Sequence, residues 1–375
     1  MKKQLFFLLF AALLGVFASC GRNYYNEEAD SISVGSEHPA TGISEIISDD
    51  ADASELHRFN DIFIDLFDTA TIVIGYASSQ QEFDYFSRNV IRAELYRLHQ
   101  LFDIFNEYPE INNIWTINNS AGSHPVNVDP VIIELLKLCI EAYHSTNGIV
   151  NAALGPVTNI WREHISSDRE PVVPSMDILR EASILTNINN VIIDEENNTV
   201  FLKYEGMSLD VGAIAKGFAI EAAVQKAIEA GFDSFFLSVG GDVRVAGGPI
   251  SGVRDTWSLG IQDPTGEREI VDAVYATHTS VFSSGDYQRF FIVDDVRYHH
   301  IIDPRTLMPA INYRAVTIIY PDGGMADILS TAAFILDINE AKPILADFGA
   351  EAIWILNDGT IITTEGYWQY SRSDL

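Results

Sequence analysis

The sequence predicts an α+β fold, in which helices pack on mixed, mainly antiparallel sheets. Apolar residues recur at helical spacing in two long runs, 83–105 and 130–146. Pairs of short β-rich runs joined by turn residues, at 191–202 and 352–364, indicate β-hairpins rather than parallel βαβ units. No simple repeat and no long internal linker interrupts residues 55–375, so this stretch is predicted to form one compact body.

The remaining elements follow from local patterns. The run 55–67 is interpreted as an amphipathic helix or the end of a linker, and 69–77 as the first strand. A second strand-like run at 207–211 leads into an Ala-rich helix that ends at Gly231. Further helices are predicted at 176–185, 326–336 and 341–348. Further strands are predicted at 235–239, 243–245, 257–261, 271–276, 290–293 and 316–320.

Charge and cysteine content exclude several classes of function. The chain has 53 acidic and 23 basic residues, a formal net charge of -30, which argues against nucleic acid and against adhesion to anionic lipid. A phosphate ligand is still allowed, since a local cation or metal can reverse the field. Two cysteines, Cys20 and Cys139, imply no disulfide framework, and Cys139 falls on the inward side of a predicted helix.

The N-terminus has the features of a targeting segment. Lys2 and Lys3 precede the apolar run 5–17, and Ala-Ser-Cys20 follows, so residues 1–19 are predicted to be a signal peptide. Lipidation of Cys20, as in a bacterial lipoprotein, is favoured over plain signal cleavage. Residues 20–54 are polar and acidic without periodicity and are interpreted as a disordered tether that joins this anchor to the body at 55–375.

The stretch 208–217 gathers an acid, two glycines and a lysine at a predicted strand-to-helix junction. Unpaired amides and the positive end of the helix dipole attract anions at such a place. Lys216 lies in the first turn, where its charge opposes the dipole unless an anion binds. In the alternative interpretation, Asp210 caps the helix and Lys216 reaches solvent.

Two further patterns carry oxygen and nitrogen groups. Asp327 and Thr331 are four residues apart on one helix face and offer oxygen ligands that suit Mg²⁺. Alternatively, Asp327 caps its helix and Thr331 bonds back to the Asp327 carbonyl. His299 and His300 lie in a strand-like run, so alternation turns at most one of them toward a site, as a general base or as a structural histidine.

A third stretch, 149–161, combines small residues with a Gly-Pro turn. It allows either close approach of the backbone to a flat ligand or an ordinary buried turn under Trp161. The sequence contains no zinc-ligand spacing, no Gly-x-Ser-x-Gly elbow and no Walker loop.

Taken in order, six of these motifs resemble the ApbE family of FAD:protein FMN transferases. They are the segments at 147–161, 209–217, 239–244, 283–287, 300–304 and 326–332. The resemblance runs from about Phe67 to the C-terminus, and the lipoprotein-like start is also similar to that family. It implies that the enzyme binds FAD with Mg²⁺, releases AMP and attaches FMN to a Ser or Thr hydroxyl of an exported acceptor protein, typically a subunit of a redox complex.

The resemblance also implies roles for individual residues. His300 is the expected catalytic base, and the Ala213 carbonyl, Asp327 and Thr331 are the expected Mg²⁺ ligands. The expected FAD contacts are Phe67, Phe105, Ile149, Val150, Asn151, Asp210, Lys216 and Ile301. Asn151 stands where the family often has Asp, and Phe105 where it often has Tyr.

Two other functions remain open from the sequence. An FAD pyrophosphatase would use the same site to hydrolyse FAD to FMN and AMP, with water as the acceptor. A non-catalytic flavin-binding lipoprotein is the second alternative, which an intact Asp327, Thr331 and His300 argue against. The expected location is the cell envelope, lipid-anchored outside the cytoplasmic membrane, on its periplasmic face.

Overall fold

The computed structural model describes residues 56–166, 170–250 and 255–371. The predicted signal peptide, Cys20 and the tether therefore lie outside the described residues. Leu56–Pro264 and the residues from Ile270 onward form one compact unit, and Thr265–Glu269 is grouped separately from it. No helix in these described ranges is long and apolar enough to cross a membrane.

Seventeen strands are assigned in the described residues, and every pairing between them is antiparallel. They are β1 His57–Leu66, β2 Thr69–Ala77, β3 Val126–Asn127, β4 Val191–Asp194, β5 Thr199–Leu202, β6 Phe235–Val239, β7 Asp242–Ala246, β8 Trp257–Gln262, β9 Ile270–Ala276, β10 Ser280–Gly285, β11 Phe290–Val293, β12 Val296–His299, β13 Ile302–Asp303, β14 Met308–Pro309, β15 Tyr313–Tyr320, β16 Glu351–Leu356 and β17 Ile361–Thr363. The main sheet has eight strands in the order β1-β2-β6-β7-β10-β15-β16-β17. The antiparallel pairing confirms the α+β prediction.

The α-helices of the described residues lie between these strands along the chain. They are α1 Gln80–Asp84, α2 Ala93–Phe102, α3 Ile114–Asn119, α4 Pro130–Ser145, α5 Gly155–Ser166, α6 Met176–Ser183, α7 Ala215–Glu229, α8 Gly323–Ile335 and α9 Ile338–Phe348. A π-helical stretch, Tyr85–Arg92, joins α1 to α2. Cys139 is fully buried in α4, as predicted.

The main sheet separates two cores. One face packs against α2, α4, α7 and α8 in the largest apolar cluster. The other face packs against the β8–β9 hairpin around Trp257 and Tyr367. A third, smaller cluster around Trp161 joins α5 and α6 to the β11–β12 hairpin. Helices α7 and α8 of the first layer carry three of the residues singled out from the sequence, Lys216, Asp327 and Thr331.

The interpretation of 55–67 as a helix or linker end is wrong, because His57–Leu66 is an edge strand paired with β2. Its sequence alternates poorly, since Ile62 and Ile64 are exposed on the outer face. An edge strand needs only one partner, so its burial pattern is weaker than that of a central strand. Strand β2, which is paired on both sides, matches its predicted bounds of 69–77.

The run 207–211 is not a strand. Its backbone groups bond elsewhere: the Asn118 side-chain amide binds both the N–H and the C=O of Leu209, and the Asp210 amide donates to the Ala152 carbonyl at 2.8 Å. The interpretation of Gly155-Pro156 as a turn is also wrong, because these residues begin helix α5. Proline suits that place, where its missing N–H would have no helical partner anyway.

Candidate active site

Helices α7 and α8 cross at two glycines. A side chain on Gly217 would put its Cβ 2.3 Å from the Gly323 carbonyl oxygen and 2.6 Å from the Asp327 Cβ, closer than real Cβ contacts come. This approach lets the Gly217 amide donate to Asp327 Oδ2 at 2.8 Å. The crossing therefore brings a buried carboxylate to the N-terminus of α7, the positive end of the helix dipole.

The same contact leaves the carbonyl of Ala213 unpaired. In a regular α-helix the amide of Gly217 would donate to this carbonyl, four residues earlier. Because the amide donates to Asp327 instead, the Ala213 carbonyl accepts no hydrogen bond from any described residue. An orphaned backbone oxygen four residues before the amide that binds a buried carboxylate is a natural place for a cation.

The oxygen groups around Asp327 fit Mg²⁺. Asp327 is not a helix cap, because Asp322 occupies that position and accepts from the Met325 amide at 2.8 Å. The hydroxyl that bonds to the Asp327 carbonyl is that of Ser330, at 2.9 Å, rather than that of Thr331. The described residues contain no group of three or more His, Cys, Asp or Glu side chains that could hold a metal ion by themselves. A cation here would thus use a mixed set of carboxylate, hydroxyl and carbonyl oxygens, which hard cations accept.

The charge of Asp327 is poorly compensated by the protein itself. Burial raises the pKa of Asp327 above its ordinary range, and the Asp242 carboxylate raises it further. Lys216 and the Gly217 amide lower it, without offsetting the effect of burial. A bound divalent cation would supply the missing positive charge.

Lys216 forms an ion pair with the buried Asp242, whose second oxygen accepts from the Ser283 amide at 2.9 Å. Burial disfavours the charged ammonium, but the carboxylates of Asp242 and Asp327 outweigh this and raise the pKa of Lys216. Lys216 is therefore a fixed cation at the start of α7. Its expected contact with the FAD pyrophosphate would have to share the ammonium with Asp242.

A second buried ion pair holds the crossing in place. Arg244 of β7 donates to Glu221 of α7 at 2.8 Å, and the same carboxylate oxygen accepts from the Gly323 amide at 2.9 Å. One side chain thus connects the main sheet, α7 and the start of α8. Arg244 lies in a motif noted from the sequence, but its partner Glu221 was missed.

Asp210 lies on the other side of the α7 N-terminus and does not cap that helix. Its Oδ2 accepts from Thr158 and from Arg162, both at 2.6 Å, and its Oδ1 accepts from the Gly212 amide at 3.0 Å. Burial disfavours its charge, but Arg162 and these hydrogen bonds prevail and hold the pKa of Asp210 below its ordinary range. Arg162 also lies over the Phe105 ring, 5.0 Å from its centroid, which brings two expected FAD contacts together.

Phe67 occupies the two-residue turn between β1 and β2. Its φ of 51° is left-handed, which is unusual for a bulky side chain. The His99 ring stabilises this turn, because Nδ1 accepts from the Phe67 amide at 3.3 Å and the two rings meet edge to face. The turn lies beside the Gly240 loop, since a Cβ on Gly240 would meet Thr69.

Ile149, Val150 and Asn151 have little side-chain capacity left for a ligand. The side chains of Ile149 and Val150 are buried in the largest core. The Asn151 side chain accepts from the Ala153 amide and donates to the Thr186 carbonyl, both at 2.9 Å. Any contact of these three residues with FAD would therefore use the backbone.

The two histidines have different environments. His299 is buried, with Nε2 on the Ala310 carbonyl at 2.6 Å and Nδ1 accepting from the Ile301 amide at 3.2 Å, so both ring nitrogens are satisfied. His300 is exposed to solvent. This agrees with the expectation from strand alternation. Ile301 is buried, and both of its backbone groups are bonded, the carbonyl to the Ala310 amide.

His300 is a neutral imidazole at pH 7. It is solvent-accessible but closely surrounded by protein, as in a concave site, and this desolvation lowers its pKa to about 4. The electrostatic interaction with His299 and the positive charges of Arg289 and Lys216 act in the same direction, and the backbone carbonyl of Arg289 opposes them. The unprotonated ring is free to accept a proton.

The comparisons with known proteins agree with this arrangement. The sequence model of the ApbE family matches residues 67–354. The chain belongs to the ApbE family. It is 36% identical over 265 residues to the FAD:protein FMN transferase of Treponema pallidum, covering 67% of this chain and 72% of that one. It is 30% identical over 273 residues to the enzyme of the same name from Klebsiella pneumoniae, covering 71% and 83%.

Solved structures share the fold. The ApbE protein of Thermotoga maritima superposes with a TM-score of 0.73 at 31% identity, over 85% of this chain and all of that one (100%). The flavin transferase ApbE of Vibrio cholerae gives a TM-score of 0.70 at 20% identity, over 84% and 99%, and supports the fold alone. The sequence-based predictions of family and of fold are confirmed.

Proposed function

We propose that this chain is a Mg²⁺-dependent FAD:protein FMN transferase. The comparisons confirm the coarse part of this function, transfer of a flavin group to a protein. The observation that carries the finer part is the Gly217–Asp327 contact, which holds a buried, undercompensated carboxylate at the start of α7 and leaves the Ala213 carbonyl without its helical partner. Together with Thr331, these groups would hold Mg²⁺, which when bound polarises the pyrophosphate of FAD.

The transfer itself can be written with the side chains of this chain. An acceptor Ser or Thr oxygen attacks the phosphorus of the FMN half, and the bond from that phosphorus to the bridging oxygen breaks. AMP leaves with that oxygen, and a phosphoester joins FMN to the acceptor. Neutral His300 takes the hydroxyl proton, and Lys216 with the N-terminus of α7 supplies positive potential for the phosphates.

The lowered pKa of His300 suits the substrate-free state. The negative phosphates of bound FAD favour the imidazolium form, so the basicity of His300 increases when the substrate is in place. Positioning of the phosphorus and neutralisation of the oxyanion charge supply most of the catalysis in phosphoryl-type transfer. A modest base is sufficient for the remaining proton transfer.

The cellular location is part of the proposal. A lysine-flanked apolar segment followed by Cys20 favours a lipid-anchored protein that acts outside the cytoplasmic membrane on exported acceptors. Replacing Cys20 by Ala should release the protein from the membrane fraction. If the Cys20→Ala protein stays in the membrane fraction, another anchor holds it and the lipid anchor is contradicted. If the parent chain is already free of the membrane fraction, plain signal cleavage is favoured.

An acceptor-labelling assay tests the activity. Purified protein is mixed with FAD, Mg²⁺ and an acceptor that carries an Asp-x-x-Thr-Gly/Ala-type motif. The acceptor should remain fluorescent after denaturation, AMP should be released in equal amount, and EDTA should stop both. Free FMN and AMP without a labelled acceptor would indicate an FAD pyrophosphatase, and tight FAD binding without turnover would indicate a flavin-binding protein.

A further inference from the structure

A groove of about 340 Å³ lies beside the segment that carries His300. It is formed by β13, β14, the residues that join and follow them, and the last residue of α8. It contains none of the residues that were expected to contact FAD or Mg²⁺. Its apolar lining consists of Met308, Pro309, Ala310, Ile311 and Ile335.

The wall of the groove is bonded to the residues on both sides of His300. The Ala310 carbonyl accepts from His299 Nε2 at 2.6 Å, and the Ala310 amide donates to the Ile301 carbonyl at 3.0 Å. Since β13 and β14 are antiparallel, Ile311 follows Ala310 at the end of the ribbon where His300 precedes Ile301. Ile311 and His300 are therefore the next residues after one bonded pair.

Ile311 is held in place by its backbone while its side chain remains in water. The residue is 74% exposed, and its carbonyl accepts from Asn357 Nδ2 at 2.8 Å. The next residue, Asn312, donates from Nδ2 to the Ile335 carbonyl at 3.3 Å, across the groove. A single exposed isoleucine is common on protein surfaces. This one borders an apolar groove next to the expected base, which gives it a possible partner.

The charge at the rim of the groove is already balanced. Arg305 donates from Nε and Nη2 to Asp303, at 3.0 and 2.9 Å, and from Nη1 to Glu340 at 3.3 Å. The guanidinium therefore has two carboxylates as partners and little attraction left for an acidic ligand. The groove suits an apolar side chain better than a charged one.

We propose that this groove docks the acceptor polypeptide, with an apolar side chain near the modified Ser or Thr packed against Ile311. The proposal rests on the proposed function, in which the acceptor hydroxyl must reach His300. The polypeptide on either side of that hydroxyl must then cross the surface next to His300. An extended chain advances roughly 3.3 Å per residue, so the packed side chain should lie within about three residues of the hydroxyl.

Steady-state labelling at varied acceptor concentration tests the docking. The probe is an acceptor protein that carries an Asp-x-x-Thr-Gly/Ala-type motif, with FAD and Mg²⁺ at saturation. We expect Ile311→Ala to raise KM for the acceptor about tenfold and Ile311→Asp to raise it about thirtyfold, because each removes a buried apolar contact. KM for FAD and kcat at saturating acceptor should stay within about twofold, since Ile311 takes no part in FAD binding or in proton transfer.

Ile64→Asp is the matched control. Ile64 lies on β1 and is 71% exposed, so this variant adds the same charge at an isoleucine of similar exposure. Its KM for the acceptor should stay within about twofold of the parent value. Thermal unfolding of each variant checks that the fold is retained.

Substitutions in the acceptor identify the packed side chain. Each apolar residue within about three positions of the labelled hydroxyl is replaced by alanine. One replacement should raise KM about tenfold with the parent enzyme and only about twofold with Ile311→Ala, because the two side chains share one contact. If every replacement has the same effect with both enzymes, the acceptor does not pack against Ile311.

Three other results would overturn the docking. They are a parent-like KM for the acceptor in both Ile311 variants, an equal rise in KM for FAD, and a parent dimer that Ile311→Asp dissociates in analytical ultracentrifugation. The second result would assign the groove to the FAD site, and the third to contact between copies of this chain. If the parent chain labels no acceptor, the proposed function itself fails, whereas normal parent labelling with a parent-like KM in the variants refutes the docking alone.

Discussion

Two aspartates flank the start of helix α7, and their surroundings shift their pKa values in opposite directions. Asp210 has an arginine, a hydroxyl and an amide on its oxygens, and its pKa is lowered. Asp327 is buried with one amide donor and a nearby carboxylate, and its pKa is raised. Both were expected to contact ligands, but only at Asp327 do the protein's own positive groups, Lys216 and the Gly217 amide, fail to offset burial.

This difference separates a structural charge from a functional one. A carboxylate whose charge is balanced by the protein stabilises the fold and orients its neighbours. A buried carboxylate with too few partners destabilises the fold unless a ligand completes it, which is a common property of catalytic and metal-binding groups. Substitutions at the two positions should therefore differ in both activity and stability.

The largest effect is expected at the undercompensated carboxylate. Asp327→Asn keeps the shape and an oxygen that can accept from Gly217, but removes the negative charge. Mg²⁺-dependent labelling of the acceptor should fall about a thousandfold or more, since metal stabilisation of transition-state charge is worth several kcal/mol. The rate at saturating FAD, over a range of Mg²⁺ concentrations, measures this loss.

Stability of the same variant provides the control. In EDTA, Asp327→Asn should unfold at a temperature no lower than the parent chain, because it removes an undercompensated buried charge. A variant that is active at ordinary Mg²⁺ concentration would remove Asp327 from the metal site. A strongly destabilised variant would show that the carboxylate is structural, like Asp210.

The next effect is expected at His300. His300→Gln should lower kcat/KM about a hundredfold or more, the usual contribution of a general base. Because its pKa is lowered to about 4, the base is neutral above that pH, so kcat/KM should show no loss from this group between pH 8 and pH 6 and should fall as the pH approaches 4. His124→Gln, at an exposed histidine, serves as the control. If the plot of kcat/KM against pH has an inflection near neutral pH that disappears in His300→Gln, the lowered pKa of His300 is contradicted.

A smaller effect is expected from the glycine that brings Asp327 to α7. Gly217→Ala forces a Cβ against the Gly323 carbonyl, and this overpacking should lower the free energy of unfolding by about 1–3 kcal/mol. Labelling activity should fall about tenfold as the helices separate. Gly324→Ala in the facing helix α8, where the nearest contacts of a new Cβ are at 3.3 Å, should change stability by less than about 1 kcal/mol. Equal effects at both positions would argue against a special crossing.

The sequence predicted much of this arrangement, for identifiable reasons. The α+β class follows from periodicity and hairpin turns, and central strands such as Phe235–Val239 have the bounds expected from their apolar runs. Lys216 and Asp327 stand in short local motifs, 209–217 and 326–332, that can be recognised along the chain without knowledge of the fold. The Ala213 carbonyl came only from the family resemblance, since a backbone oxygen has no signature in a sequence.

The rest depended on contacts distant along the chain. Arg162 could not be predicted because its helix begins at a Gly-Pro pair that was interpreted as a turn. Its partners Phe105 and Asp210 are far from it in sequence, and only packing brings the three together. A helical interpretation of 155–166 would have placed Thr158 and Arg162 one turn apart on one face, the one signal available beforehand.

The most discriminating effect, of about the same size in stability as that of Gly217→Ala, is expected at Asp210. Asp210→Asn leaves Arg162 without its carboxylate, so the free energy of unfolding at pH 7 should fall by about 1–3 kcal/mol, the range for a charge-assisted hydrogen bond in a half-buried place. The sign follows from the lowered pKa: the charged form contributes stability above the unfolded-state pKa, and this is lost as the pH falls through the lower folded-state value. Chemical denaturation at a series of pH values should therefore show parent and variant converging toward acid. The Asp327→Asn variant should show no such loss of unfolding free energy at pH 7. If both variants lose equal amounts of unfolding free energy, the two carboxylates do not differ in how their charge is compensated.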